Sequence, residues 1–539
     1  MIPDIGLMRS ALLGLSAALS ILFFPYGLNF YFLMKKASEY RAPKPLIGRR
    51  EGVTIQLPTY NERYVVVRLM RACKEMVDRY GKELVQILVL DDSTDDTTDI
   101  LRGIIEEMRA EGYDIELIHR DNREGFKAGA LQNALKFTKN PLIAIFDADF
   151  IPPADFLEKV VPYFDDPKVG LVQCKWAHVN RDYNLVTKAI AIGYDGHHIV
   201  EQAGRCAGGY LINFNGSAGI LRKEAVIEAG GWQSDTLAED LDVSYRMQLL
   251  GWKAIYVRDI ECLAEIPPTI PALKRQQSRW ASGSIRVFRK LFPKVLFDKR
   301  LTLGQKVQAA IHLSYYSVHP FMASAFLIAV VAALFDIRLV EFDWSAVVSE
   351  SVERAGVRPD VSIYLQIWLY LEGIATSLWR AANYTPHWLL LNVSIFFCAI
   401  SMWLFYAYAL RLQGRSVKEE LKALGALGLI GFGISLSNTI SVLRGFLGKG
   451  PGTFARTPKY RIERPSDTWR DKVYQVKLNR MTAAEIGAGL LGIFCILKAY
   501  LSPVPNLGII PILWLYTCAY LYVARLTIKE AAKGKVAAQ

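Results

Sequence analysis

"LIAIFDAD", residues 142–149, is a short apolar run that ends on two carboxylates one residue apart, and its reading decides the fold. A run of this kind reads as a strand of a buried sheet. Side chains alternate across a strand, so Asp147 and Asp149, at i and i+2, point the same way. Two carboxylates at the carboxyl edge of a sheet make a hard-cation site, suited to Mg2+ or Mn2+ bridging a diphosphate. Asp-x-Asp is a common pattern, and its weight here comes from standing directly behind an apolar strand.

The neighbouring segments extend the same pattern. "VTIQLP" (53–58), "VQILVL" (85–90) and "IELIHR" (115–120) read as further strands, with helices over 63–80, 95–111 and 127–139 between them. Alternation of this type implies a mostly parallel sheet covered by helices on both faces. Such sheets bind ligands at the carboxyl ends of their strands, near the point where strand order reverses. The unusual residues fall there: "PTYNE" with Tyr60 and Glu62 after the first strand, and "DDSTDD" after the second. No Gly-x-Gly-x-x-Gly follows the first strand and no P-loop is present, which disfavours dinucleotide-binding and NTPase folds. Asp91 suits hydrogen bonding to a nucleobase or ribose, whereas Asp95 and Asp96 fit the cap of the next helix. Asp92 could serve either. Strands at 169–176 and 253–258 and helices at 184–203, 223–229 and from about Thr236 complete this half, with "NFNGSAG" (213–219) among them.

Glu239 and Asp240 open the last of these helices, in "SDTLAEDLDVSYR". Thr236 and Glu239 have capping-box spacing, which gives Glu239 a structural role. Capping does not explain Asp240. A carboxylate at a helix start, facing a cleft that already holds acids and a cation, is a candidate general base for a sugar hydroxyl. Asp242, two positions on, should face elsewhere. Lys127, at a helix N-terminus in "EGFKAGAL", is a candidate for holding an anionic donor. "PALKRQQSRWASGSIRVFRK" (271–290) reads as a basic helix between the α/β half and an apolar half. Within it, Arg279 can pair bidentately with phosphate and Trp280 offers a flat face to a pyranose ring. His197 and His198 are adjacent on a helix and so point about 100° apart, which suits a structural or surface role rather than a metal site.

The chain has 539 residues, 52% of them hydrophobic, and a net charge of +12. The apolar surplus lies at 6–33 and after about 306, and the basic clusters at 35–50, 274–300 and 444–472 flank it. That placement fits a cytoplasmic membrane face, not a nucleic-acid groove, and no nucleic-acid partner is expected. The scattered cysteines show no CxxC, so neither a zinc site nor a disulfide framework is inferred, in keeping with a reducing compartment. Segment 6–33 exceeds the ~20 residues that span a bilayer and reads as an anchor rather than a removed signal peptide. The basic residues behind it put the following domain in the cytoplasm. Further spans are expected at about 312–335, 388–410, 483–501 and 508–526. Segments 361–379, which carries Glu372, and 421–443, which is Gly-rich, are ambiguous. Arg411, Arg415, Lys418 and Lys422 argue for a cytoplasmic loop after Leu410. That favours five spans with both ambiguous stretches interfacial or re-entrant, and seven is the alternative.

Taken together, "DDS" (91–93), "DAD" (147–149), "ED" (239–240) and "QQSRW" (276–280), in this order, resemble the membrane-integrated, processive family-2 glycosyltransferases, the cellulose synthases and cellulose synthase-like enzymes. "RDNREGFKAGAL", "AIFDADF", "FNGSAG" and "EAGGWQSDTLAEDLDVSYR" look most like the plant mannan and glucan synthase-like branches. The likeness is close over roughly 53–289 and extends to the membrane part in layout. It implies a GT-A catalytic domain, a nucleotide-sugar donor, Mg2+ or Mn2+, and inversion at the anomeric carbon. Carried over residue by residue, Asp91 would contact the nucleotide, Asp147 and Asp149 the metal and diphosphate, and Arg279 the diphosphate. Asp240 would be the base, and Gln276 and Trp280 would hold the acceptor. "TFARTPKY" (453–460) resembles the family's gating loop, usually Phe-x-Val-Thr-x-Lys: Phe454, Thr457 and Lys459 match, and Arg456 stands where valine is usual. Ala238 replaces the threonine of the usual Thr-Glu-Asp, which removes a hydroxyl beside the base.

The expected architecture is an α/β GT-A-like, mostly parallel cytoplasmic domain plus an α-helical transmembrane domain. It divides into an N-terminal membrane helix (1–34), the catalytic domain (35–300), interfacial and membrane helices (301–445), a gating-type loop (446–480) and a membrane hairpin with tail (481–539). The expected function is elongation of a β-glucan or β-mannan from UDP-glucose or GDP-mannose, with export of the polysaccharide across the cell membrane. The alternative is non-processive transfer of one sugar to a lipid phosphate.

Overall fold

A computed structural model describes residues 5–45, 50–339, 386–448, 456–464, 466–470, 472, 478–502 and 506–536. The six predicted strands of the first half, joined by one more, form a single seven-stranded sheet packed with helices. In chain order the strands are β1 (Val53–Thr59), β2 (Val85–Asp91), β3 (Asp114–His119), β4 (Leu142–Ile145), β5 (Val169–His178), β6 (Gly219–Arg222) and β7 (Lys253–Ala264). Their spatial order is β3-β2-β1-β4-β6-β5-β7. Only β6 runs antiparallel to its neighbours; the remaining pairings are parallel. β6 lies in a stretch with no strand pattern of its own, and it forms because it fits between β4 and β5. β2 and β4 are buried along their whole length, as strands covered on both faces must be.

The chain builds β1, β2 and β3 outward in one direction and then places β4 on the other side of β1. The order therefore reverses between β1 and β4, and the ends of β1, β2 and β4 open there into a crevice. β4 stops at Ile145, two residues before Asp147, which corrects the sequence expectation that the strand carries both aspartates. They sit instead in a loop pinned by Phe146 N–H to Gln56 O (3.3 Å), Asp147 N–H to Ser217 Oγ (3.0 Å) and a bridge from Ile151 to Leu263. Alternation along a strand is thus not what aims them.

A long helix, Ile270–Phe297, carries the basic segment and buries Leu273, Ala281, Ile285, Val287, Leu291 and Val295. Its charges are not a solvated stripe. Lys274 Nζ lies 2.6 Å from Glu485 in the helix Arg480–Leu501, and Lys290 Nζ lies 2.9 Å from both Asp235 and Asp242. The helix thereby ties the sheet domain to the apolar half.

Five helices among the described residues are long and apolar enough to cross a membrane: Ile5–Glu39, Tyr315–Leu334, Val393–Leu412, Arg480–Leu501 and Ile510–Ala532. Leu490, Phe494, Leu497 and Trp514 stand exposed on the last two, as lipid-facing side chains would. The ambiguous stretch near 421–443 is a bent pair, Leu421–Gly433 and Ser435–Leu447, meeting at 47°. The bend falls at a Gly-Ile-Ser break, a common cause of kinks. The other ambiguous stretch, 361–379, lies outside the described residues. A Cβ at Gly433 would meet Val523 Cγ2 at 2.4 Å and Ala519 O at 2.6 Å. Gly433→Ala should therefore cost about 1–3 kcal/mol as overpacking, read as a lower thermal midpoint of the detergent-solubilised protein; an unchanged midpoint would show that the close approach is not stabilising.

Candidate active site

The crevice at the β1/β4 reversal is closed by the start of the helix Glu239–Leu249, by the middle of the helix Ile270–Phe297 and by residues 456–459. Together these segments enclose a cavity of about 180 Å³. From the first half of the sheet domain, Tyr60, Glu62, Asp92, Lys127, Asp147 and Asp149 line it. From later in the chain, Glu239, Asp240, Gln276, Arg279, Trp280, Thr457 and Lys459 join them. Acids separated by almost a hundred residues of chain thus face one space. Phe454 lies outside the described residues.

Asp91 is not in this cavity. It is buried beneath it, accepting from Thr98 Oγ1 (2.6 Å) and Ser93 N–H (3.1 Å) with His119 Nδ1 at 2.9 Å. Asp92 is the member of the pair that faces inward, gripped by both arms of Arg120 (2.8 and 2.6 Å). Asp95 accepts from Thr97 N–H (3.0 Å) at the start of the next helix, and Asp96 pairs with Arg63. The Thr236–Glu239 capping box does not form: the helix begins at Glu239 with Ala238 at its N-cap and no side-chain cap bond. Glu239 consequently faces the cavity with Asp240. Asp242 points away, buried against Arg246 and Lys290.

Each aspartate of the Asp-x-Asp pair already has a lysine. Lys127 Nζ is 2.5 Å from Asp147 Oδ1, and Lys459 Nζ is 2.6 Å from Asp149 Oδ2. A divalent cation fits this donor set in one way. No group of three or more His, Cys, Asp and Glu side chains able to hold a metal occurs among the described residues. Two carboxylates flanked by cationic side chains instead suit a hard ion that takes its remaining ligands from phosphate oxygens and water.

The titration of the acids follows from their burial. Burial, with Glu239 beside it, pushes the Asp240 carboxyl up to about 7 against the pull of Lys127 and Arg279. Burial likewise pushes Glu62 up to about 8 despite Arg456, and Glu265 up to about 7 despite Lys459. Burial alone would lower Lys127, but Asp147, Glu239 and Asp240 outweigh it and leave the ammonium raised. The cavity therefore pairs a permanent cation with a carboxyl poised near neutrality.

Residues 456–464 are docked onto the site by contacts the sequence reading missed. Glu265 receives the backbone N–H groups of Tyr460 and Arg461, both at 2.8 Å, and its carbonyl accepts from Lys459 (2.9 Å). Arg456 donates to the carbonyls of Tyr60 (2.9 Å) and Asn61 and lies 3.5 Å from Glu62. Glu265 follows the same rule as the other acids, standing one residue past the end of a strand. It was missed because that strand reads as ending at 258, whereas β7 continues to Ala264 through a register shift beside β5.

Trp280 packs against Tyr194 at 5.6 Å between ring centres, and the Tyr194 hydroxyl donates to Gln276 Oε1. Behind this aromatic wall lies a second cavity of about 410 Å³ that runs between the candidate membrane helices. Trp176, Tyr194, Asn215, Asp240 and Trp280 line both cavities. His198 is buried on Trp176, with ring centres 5.3 Å apart, and His197 lines the second cavity, so neither is a surface residue.

A family model described as glycosyl transferase family group 2 matches residues 142–412, half of the chain. Over 264 residues the chain is 40% identical to a probable glucomannan 4-beta-mannosyltransferase 7 of Oryza sativa subsp. japonica, covering 48% of this chain and 45% of that protein. Over 276 residues it is 39% identical to glucomannan 4-beta-mannosyltransferase 9 of Arabidopsis thaliana, covering 50% and 51%. The chain spans about half the length of these curated relatives. Among solved structures, a mannosyltransferase of Pyrobaculum calidifontis in complex with GDP-Man and Mn2+ aligns with TM-score 0.45 and 22% identity, over 72% of this chain and 98% of that one.

Proposed function

The chain belongs to glycosyl transferase family group 2, and from that premise we propose that it is a processive, inverting β-hexosyltransferase that extends a polysaccharide and passes it into the membrane. The observation that carries the reading is the wall shared by the two cavities: Trp176, Tyr194, Asn215, Asp240 and Trp280 border both the acid-lined pocket and the aromatic space between candidate membrane helices. A polymer growing one sugar at a time needs two such adjoining spaces, because its new end must stay at the pocket while the rest moves away. The names of the relatives support a mannosyl donor, GDP-mannose before UDP-glucose. The positive clusters beside the apolar helices support a cytoplasmic pocket.

The roles follow from position and charge. Asp92 and Tyr60 border the nucleoside end of the pocket. Arg279, Lys127 and Lys459 neutralise the departing diphosphate, and Arg279 can do so bidentately. Asp147 and Asp149 would hold an Mg2+ or Mn2+ ion, which would supply charge stabilisation to the leaving group. Trp280 and Gln276 seat the terminal sugar of the acceptor. Asp240 takes the proton of the attacking hydroxyl, and the new bond forms on the face opposite the leaving diphosphate. Burial, with Glu239 beside it, keeps its proton affinity high.

A base must be ionised to act, and the raised carboxyl of Asp240 is neutral below about pH 7. kcat/KM should accordingly fall with unit slope on a log scale as pH drops below about 7, and level off above it. A profile flat through that region would remove Asp240 from the role. Product sizing tests the reading as a whole. Incubation with GDP-mannose or UDP-glucose alone should give a ladder of oligomers; a single sugar on a lipid phosphate would establish the non-processive alternative instead.

A further inference from the structure

The large cavity is walled mainly by aromatic and aliphatic side chains, and one group of its polar residues is clustered on a single helical run. The helical run from Leu185 to Ala207 is interrupted by a π-helical turn, Gly196–Gln202. Such wide turns are rare and recur at functional sites. Here His197, Glu201 and Arg205 all line the cavity. His197 Nδ1 is 2.8 Å from Glu201 Oε2, and Arg205 Nη2 is 3.5 Å from the same oxygen. His197 Nε2 is 3.2 Å from Asn215 Oδ1, and Asn215 lines both this cavity and the acid pocket.

Arg205 is 2% exposed, yet its Nε and Nη1 have no hydrogen-bond partner, and neither has Asn215 Nδ2. Leaving buried donors unmet is costly, more so on a charged group, and a hydroxyl-bearing ligand that reached them would relieve that cost. The ligand's chemistry follows from the charge. Glu201 balances Arg205, which disfavours a phosphate. What remains is a set of donors and acceptors side by side, the complement of hydroxyl groups that do both.

Resting on the reading of this cavity as the path of the polymer, we propose that His197, Glu201, Arg205 and Asn215 form a hexose subsite. It grips the sugar unit behind the one seated at Trp280 and reads its hydroxyl pattern. The aromatic walls let the chain slide on its C–H faces; this polar patch holds it in register between additions.

The test compares mannose and β-1,4-mannobiose as acceptors with GDP-mannose as donor. Arg205→Met should raise KM for the disaccharide by about 10- to 100-fold, the usual worth of hydrogen bonds to a charged group, and leave the KM values for mannose and donor within about twofold. Glu201→Gln, which keeps the shape, should shift the disaccharide KM in the same direction by less, and Arg205→Lys should restore part of it. An equal loss on both acceptors, or a loss in donor KM, would show a merely structural role and overturn the subsite. A wild-type protein that uses no acceptor sugar would overturn the functional reading and the subsite with it.

Discussion

Asp240→Asn is expected to lower turnover by about 10²–10⁴-fold, the range a positioned base contributes, while nucleotide affinity stays nearly unchanged. The substitution is close to isosteric. Asp240 Oδ1 accepts from the N–H of Leu241 at 2.8 Å, and an asparagine oxygen can keep that bond. The helix start at Glu239 and the fit of Asp240 Oδ2 against Gly216, where an added Cβ would come within 2.8 Å, should likewise persist. Only the charge and the basicity go. Removing the negative charge beside Lys127 and Arg279 leaves those cations free for the diphosphate, so nucleotide binding has no reason to weaken. Steady-state kinetics together with a nucleotide titration separates the two quantities. Turnover within a few-fold of wild type would assign the proton to another group, with Glu239 next in line.

The sequence shows this site because strand ends and helix starts are local signals. Asp149, Asp240, Arg279 and Trp280 could be singled out from short windows, and the sheet brings those windows together at one crevice. What it conceals depends on partners distant in the chain. Asp91 and Asp92 look equivalent in "DDS", but Thr98 and His119 take the first into the interior and Arg120 turns the second toward the cavity. The spacing of Thr236 and Glu239 satisfies a capping box that the backbone does not adopt, because Glu239 is the first helical residue and not the third. Helix geometry alone gives His197 a structural or surface role, and its place on a cavity wall needs the fold. Arg456 could be seen only as a departure from the usual valine, and its docking on Tyr60 and Asn61 needs the fold.

Asp149→Asn should lower kcat/KM by about 10²–10³-fold, matching the several kcal/mol that a metal ion supplies to such a reaction. Asp149 does more than face the pocket. Its Oδ2 accepts from Lys459 at 2.6 Å and from the N–H of Glu265 at 3.1 Å, and its carbonyl accepts from Arg68 at 2.9 Å. Arg68 in turn pairs with Glu463 at 3.0 Å, so one residue ties the loop after β4, the end of β7 and the docked 456–464 segment together. An asparagine preserves the bond to Glu265 but deprives Lys459 of its countercharge and a cation of its strongest ligand. Chelation distinguishes the two losses. If Asp149 acts chiefly by holding a cation, a chelator should bring the wild-type protein down to the level of the variant and do nothing further to the variant, because two perturbations of one interaction do not add. If its main work is to dock Lys459, the chelator should lower both proteins by the same factor. Activity of the wild type that persists in full under chelation would exclude the cation, and Lys127, Lys459 and Arg279 would then carry the diphosphate charge alone.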